Sequence, residues 1–237
     1  MTASRFIVIG RRFCGPPQSA NGGYTCGMLA GAVGMALEVR LQKPPPLDRP
    51  LEVREDPNDA RILLLDGEEP VASGKPVKPL DLIVPEAPSY AEALAAARNY
   101  EGFRVHAYPT CFVCGPQRTR GDGMRIFAAA IAGRELYAAP WLPDPSLTGA
   151  DGKVLPEFMW AALDCPGFFA TRMAARGPLL GQFAASIDRR VHVNEACVVI
   201  GWSMGSEGRK HYTGTAVFDD DGEPCARARA TWIELKP

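Results

Sequence analysis

The chain has 237 residues, 46% of them hydrophobic and 22% charged, and a formal net charge of −1. A chain of this length and apolar content can bury a full core and is not of the disordered class. Its lysines and arginines are dispersed, which argues against nucleic acid as the main partner, since neutralising phosphates needs a concentrated basic surface.

No apolar run approaches the roughly 20 residues of a membrane-spanning helix. The start, MTASRFIVIGRRF, carries its arginines after a short apolar run and shows no signal-type cleavage site. A cytoplasmic location with no membrane partner is therefore the expectation. The seven cysteines have no disulfide-scaffold spacing and read as reduced, buried small hydrophobes.

In chain order, RFIVIG (5–10) is a strand and FCGPPQSANGGY (13–24) a loop dense in Gly, Pro, Ser and Asn. Asn21-Gly22-Gly23 then opens a helix over 22–36, either as a plain cap or as a helix N-terminus able to bind an anion or a carbonyl. ALEVRLQ and RPLEVRED follow as strands. ARILLLDG and EEPVASGKPVKPL form a hairpin with Asp66-Gly67 at the turn. Ser89 and Glu92 fit a capping box before an Ala-rich run, which predicts a connecting helix over 89–100.

MRIFAAAIAG (124–133) and RELYAAPWL (134–142) read as strands meeting at Gly133. PEFMWAALDCPGFFATRMAAR (156–176) reads as one helix, with Pro156 suited to its first position and Glu157 to the positive end of its dipole. Beyond Gly177-Pro178 come long strand segments broken by SEGRK and DDDGEP turns. Residues 224–235 alternate, with Cys225, Arg227, Arg229 and Thr231 on one side. This is an antiparallel meander rather than a set of βαβ units.

Each half thus reads as one or two strands, a central helix and then a run of antiparallel strands, and FCGPPQ (13–18) echoes VCGPQ (113–117). An internal duplication is the economical reading, with an N-terminal half over 1–88, a linker over 89–105 and a C-terminal half over 106–237. Gly27, Ala30, Gly31, Ala32, Gly34 and Ala36 make the first helix poor in isolation, so it needs close neighbours, as in a sheet curled around a buried helix.

That plan resembles the hot-dog fold, and two fused copies resemble the double hot-dog acyl-CoA thioesterases. The stretches that carry the likeness are GPPQSANGGYTCG, CFVCGPQRTRGDGMRI, PEFMWAALDCPG and GEPCARARATWIEL. The resemblance implies an α+β chain of tandem hot-dog halves, antiparallel sheets each wrapped around a central helix. It implies acyl-CoA or a related thioester as partner, no metal or organic cofactor, and a homodimer through edge pairing. The same superfamily also holds dehydratases and non-catalytic acyl- or CoA-binding proteins.

On this likeness, Asn21, Gly22 and Gly23 would supply backbone donors for a developing oxyanion, because the first N–H groups of a helix lack internal partners. No Asp or Glu lies between Tyr24 and Leu37, so the carboxylate must come from elsewhere. Asp164, a little over two turns into the second helix, would act as base or as nucleophile. One composite site and one disabled pseudo-site follow. Tyr24 and Trp160 are candidate substrate contacts, and Arg209 and Lys210 candidates for coenzyme A phosphates, as are Arg11, Arg12, Arg118 and Arg120.

A dehydratase would need a His beside a helix carboxylate, and neither helix nor its entry loop has one. Cys111-x-x-Cys114 has no second pair to complete a zinc set, with His106 five residues upstream, and reads as structural turn residues. A non-catalytic acyl- or CoA-binding protein is the alternative function.

Overall fold

The computed structural model describes residues 5–235. Among these residues, eleven strands form one antiparallel sheet. They are β1 (Arg5–Val8), β2 (Leu37–Leu41), β3 (Pro50–Glu55), β4 (Ile62–Asp66), β5 (Glu69–Pro76), β6 (Ala129–Ala130), β7 (Tyr137–Trp141), β8 (Leu179–Ile187), β9 (Cys197–Glu207), β10 (Lys210–Phe218) and β11 (Pro224–Ile233). Their order is β1-β3-β4-β5-β2-β8-β11-β10-β9-β7-β6. The first five strands of the chain occupy one side of the β2–β8 junction and the last six the other.

At that junction Glu38, Val39 and Arg40 pair with Ala184, Phe183 and Gln182. An Arg229–Glu38 ion pair of 2.7 Å crosses the same seam. The sheet is therefore continuous through the middle of the molecule. Among the described residues, no helix is long and apolar enough to cross a membrane.

Among the described residues four α-helices accompany the sheet: α1 (Gly22–Val33), α2 (Tyr90–Ala97), α3 (Pro156–Ala162) and α4 (Cys165–Ala170). Helix α1 stops at Val33, earlier than the expected 36, because Gly34 adopts a left-handed conformation (φ 67°) and its N–H closes on Ala30 and Gly31. Helix α2 carries the full capping box between Ser89 and Glu92. The Asp66-Gly67 hairpin is present, with Asp66 opposite Glu69 and Gly67 at φ 61°.

Two expected elements differ. The helix expected over 156–176 breaks between α3 and α4, where Asp164 has φ −75° and ψ −71°. Pro166 has no N–H for the carbonyl of Ala162 and its ring crowds that turn. Thr215 Oγ1 donates to the Leu163 carbonyl left over, at 2.7 Å.

The strand expected over 124–133 shrinks to Ala129–Ala130. Residues before it turn elsewhere: Met124 N–H donates to Phe112 O and Ile126 N–H to Val113 O, at 2.8 and 2.9 Å. Arg125, between them, has φ 58°. The Cys-x-x-Cys segment thus takes the hydrogen bonds that a longer strand would have given to β7.

The core lies between the helices and the sheet. Its most extensive helix–helix contact is α1 against α3. A Cβ at Gly27 would stand 2.8 Å from the Glu157 Cα, and one at Gly23 would stand 2.6 Å from the Asp164 Cβ and 2.8 Å from the Trp160 carbonyl. The small residues of α1 therefore serve a helix–helix approach as well as sheet packing, a partner that periodicity alone does not reveal.

Candidate active site

The site begins at the loop before α1. Asn21 N–H donates to Phe13 O at 2.8 Å and Ala20 N–H to Pro45 O at 2.8 Å, which fixes the direction in which the chain enters the helix. The Asn21 side chain then makes two bonds. Its Oδ1 accepts the Tyr24 N–H at 2.8 Å, an N-cap. Its Nδ2 donates to Asp164 Oδ2 at 2.7 Å. Aspartate could do the first but not the second, because an ionised carboxylate has no hydrogen to donate.

Asp164 is 3% exposed. Its Oδ2 also accepts the Gly23 N–H at 3.0 Å, so one oxygen is held by a side-chain amide and by the positive end of α1. Oδ1 is buried and has no hydrogen-bond partner among the described residues. Burial raises the Asp164 pKa to about 7, against the opposing pull of the Gly23 N–H and the Asn21 amide, with Cys111 nearby adding to the rise.

Asn21, Gly22 and Asp164 lie together in the wall of a cavity of about 430 Å³. Leu41, Leu180, Phe168 and Trp232 are among the apolar residues that line it. The Gly22 N–H, at the first position of α1, meets no acceptor among the described residues. Gly22 and Asp164 thus both border the cavity, the first with a backbone N–H and the second with a buried carboxylate oxygen that have no partner among the described residues. Such a pairing suits a reaction in which negative charge develops on a substrate carbonyl while water is deprotonated.

Of the residues singled out from sequence, Asn21, Gly22, Gly23 and Asp164 come together. Gly23 is placed differently from its expected use: its N–H is taken by Asp164, and the space a side chain would fill holds α3, not a ligand. Tyr24 and Trp160, expected as substrate contacts, stand away from this cavity. Tyr24 is 5% exposed and stacks on Phe13 at 4.5 Å, and Trp160 packs edge-on to Phe183 at 5.7 Å. Neither side chain lines the cavity.

Arg209 donates to the Glu234 carbonyl at 3.0 Å, one residue from Leu235 in the cavity wall, while Lys210 pairs with Glu207 at the β9–β10 turn, outside that wall. Arg11, Arg12 and Arg118 are engaged within the protein, by Asp48, by the Gly121 and Asp122 carbonyls, and by Thr110 O with Asp122 respectively.

Sequence reasoning missed Leu41, Leu180 and Trp232 as cavity lining, because nothing in a strand's alternation tells which inward residue borders a void. It also missed that Cys165, the neighbour of Asp164, joins Cys111 and Cys114 at the same wall. Hydrogen bonds from Cys114 and Cys165 draw the Cys111 thiol well below its usual range, with help from backbone N–H groups of Cys114 and Val113 and against the effect of burial.

No family model and no curated protein matches the chain. Solved structures do match. One is a conserved protein of unknown function with a hot-dog fold from Alicyclobacillus acidocaldarius, 12% identical, covering 100% of this chain and 97% of that one with a TM-score of 0.59. The fold is a hot-dog fold. A putative thioesterase from Novosphingobium aromaticivorans is 12% identical over 99% of this chain and 96% of its own, with a TM-score of 0.59. The TesB protein of Mycobacterium avium subsp. paratuberculosis is 14% identical over 92% of this chain and 88% of its own, at the same TM-score of 0.59. At these identities the hot-dog likeness concerns the fold, and function must be argued from the site.

Proposed function

We propose that this chain is a tandem hot-dog hydrolase of acyl-CoA or a related thioester, with halves over 1–88 and 106–237 joined by 89–105. One composite site forms where α1 of the first half meets Asp164 of the second. The observation that carries the reading is that Asp164, with an unpaired Oδ1, and Gly22, at the positive end of α1, border the same apolar cavity.

Asp164 acts as a general base rather than as a nucleophile. Its Oδ2 is clamped by Asn21 and Gly23, which leaves Oδ1, without a partner among the described residues, as the oxygen to take a proton. A water held beside it supplies that proton. That water gives its proton to Oδ1 as its oxygen bonds to the thioester carbon, and the carbonyl oxygen takes the negative charge toward the Gly22 N–H. When the C–S bond breaks, the leaving thiolate takes the proton from Asp164, giving a carboxylic acid and a thiol. The apolar wall formed by Leu41, Leu180 and Phe168 receives the acyl chain, consistent with a cavity that binds an apolar ligand through a few placed polar groups.

The test is incubation with a panel of acyl-CoAs of graded chain length in the presence of a thiol reagent. Thiol release well above background for part of the panel, with Asp164→Asn inactive, supports the reading. Thermal stabilisation by acyl-CoA without release would make the protein a binder instead.

A further inference from the structure

Three cysteines from two distant parts of the chain converge beside this site. Cys111 and Cys114 belong to one tight turn, closed by the Gly115 N–H on Cys111 O at 2.9 Å. That turn requires glycine at 115, since a Cβ there would stand 2.5 Å from the Cys111 carbonyl oxygen and 2.6 Å from the Cys111 nitrogen. Cys165 opens α4, held there by the break at Asp164. All three sulfurs lie within 4.8 Å of one another, and Cys111 Sγ stands 3.7 Å from Cys165 Sγ.

This spacing has a chemical meaning. With Zn–S bonds of ~2.3 Å, two thiolates on a tetrahedral zinc ion stand about 3.8 Å apart. The separation of 3.7 Å between Cys111 and Cys165 matches that edge, while a disulfide would need the sulfurs at ~2.0 Å. The seven cysteines are all free thiols.

His106 completes the surroundings without acting as the fourth ligand. Its Nδ1 accepts the Tyr108 N–H at 2.9 Å, so the neutral ring carries its hydrogen on Nε2. That Nε2 stands 3.4 Å from Cys114 Sγ and donates to it, a contact that orients a thiolate and supports its charge. His106 and the three cysteines all line the cavity that Asp164 borders.

We propose that Cys111, Cys114 and Cys165 bind one zinc ion, with His106 as a hydrogen-bonding partner of Cys114 and the fourth coordination position opening into the cavity, where water fills it. The ion ties the 106–115 segment to α4 and so fixes the wall of the cavity. Three protein ligands with one open position is the arrangement of zinc sites that meet a small ligand. Cys111 and Cys114 read as structural from sequence because no second pair accompanies them; the third thiolate lies 51 residues beyond Cys114 and becomes a neighbour only through the fold. This inference stands apart from the thioester reading and is measured without any substrate.

The test is titration of the chelator-treated, reduced full chain with cobalt and then zinc. The expected result is about one cobalt per chain with a thiolate-to-cobalt charge-transfer band, bleached by zinc, in the wild-type protein and in Cys225→Ser, a buried cysteine outside the cluster. Cys111→Ser, Cys114→Ser and Cys165→Ser should each weaken cobalt binding by at least about tenfold. If a serine variant does not fold, band intensity per cobalt in the wild type still counts thiolates, and fewer than three overturns the proposal. It is equally overturned if the wild type retains no metal, if Cys225→Ser loses as much as Cys165→Ser, or if the purified protein has a mass two hydrogens short through a disulfide in the cluster.

Discussion

Asn21 Nδ2 donates to Asp164 Oδ2 at 2.7 Å, a buried hydrogen bond between residues 143 positions apart. The same Asn21 side chain caps α1 through Tyr24 N–H. One residue therefore both begins the helix and holds the carboxylate. Replacing it by Ala removes both bonds, leaving Asp164 with only the Gly23 N–H. Asn21→Ala should lose about 2–3 kcal/mol in urea unfolding, the sum of a lost cap and of a lost hydrogen bond to a buried carboxylate. Asn21→Asp, which keeps the cap but puts a second carboxylate against the first, should be at least as damaging. A loss under about 0.5 kcal/mol for Asn21→Ala, the size of an ordinary surface change, would remove Asn21 from this role.

The glycines of α1 are distinguishable by their surroundings. A methyl at Gly23 meets the Trp160 carbonyl of α3 at 2.8 Å and the buried Asp164 Cβ, at the α3–α4 break, at 2.6 Å. Gly23→Ala should cost about 1–3 kcal/mol by overpacking. At Gly31 nothing lies within 4 Å of the added carbon and the residue is exposed. Gly31→Ala should therefore stabilise by roughly 0.5–1 kcal/mol, the helix preference of Ala over Gly. Thermal or urea unfolding of the pair reads the contrast, and equal effects at both positions would refute the close approach of α1 and α3.

Trp160 packs against Phe183 behind α3, away from the cavity. Trp160→Ala should cost about 3–5 kcal/mol. Trp160→Phe, milder, should lower stability while leaving the acyl-length preference unchanged. A shift in chain-length preference with unchanged unfolding would place the ring in the substrate path after all.

Leu41 does line the cavity. Its replacement by Trp should fill space near Gly22 and raise KM for the longest accepted acyl chain by roughly tenfold or more, since a methylene or two in an apolar pocket is worth that much. Short chains should be spared. Steady-state kinetics over a chain-length series checks this, and a uniform loss across all lengths would argue against Leu41 as part of the acyl wall.

Features governed by local chemistry were legible in the sequence. The Ser89–Glu92 capping box, the Asp66-Gly67 hairpin, the Asn21 cap and the alternation of β11 all depend on residues within a few positions of each other. That α1 lacks a carboxylate and that Asp164 is the one to meet it was also readable, by residue type and depth on the helix, once the halves were taken as a pair. What escaped depends on tertiary neighbours. Pro166 divides a helix that apolar periodicity extends to 176, and Arg125 at positive φ turns an apolar run toward the Cys-x-x-Cys segment. Gly23 and Gly27 look like openings for a ligand or a sheet until α3 is seen to fill them. Cys165 carries no sign in its own neighbourhood that it joins Cys111 and Cys114.

The most direct measurement is the rate of thiol release from the best acyl-CoA by the wild-type protein and by Asp164→Asn. The amide is nearly the same size and keeps an oxygen for the Asn21 and Gly23 donors, so it removes the base with little change to the fold. The expected result is a fall of about 10²–10⁴ in kcat, with acyl-CoA still bound. An Asp164→Asn protein that cleaves thioesters at the wild-type rate would contradict the account.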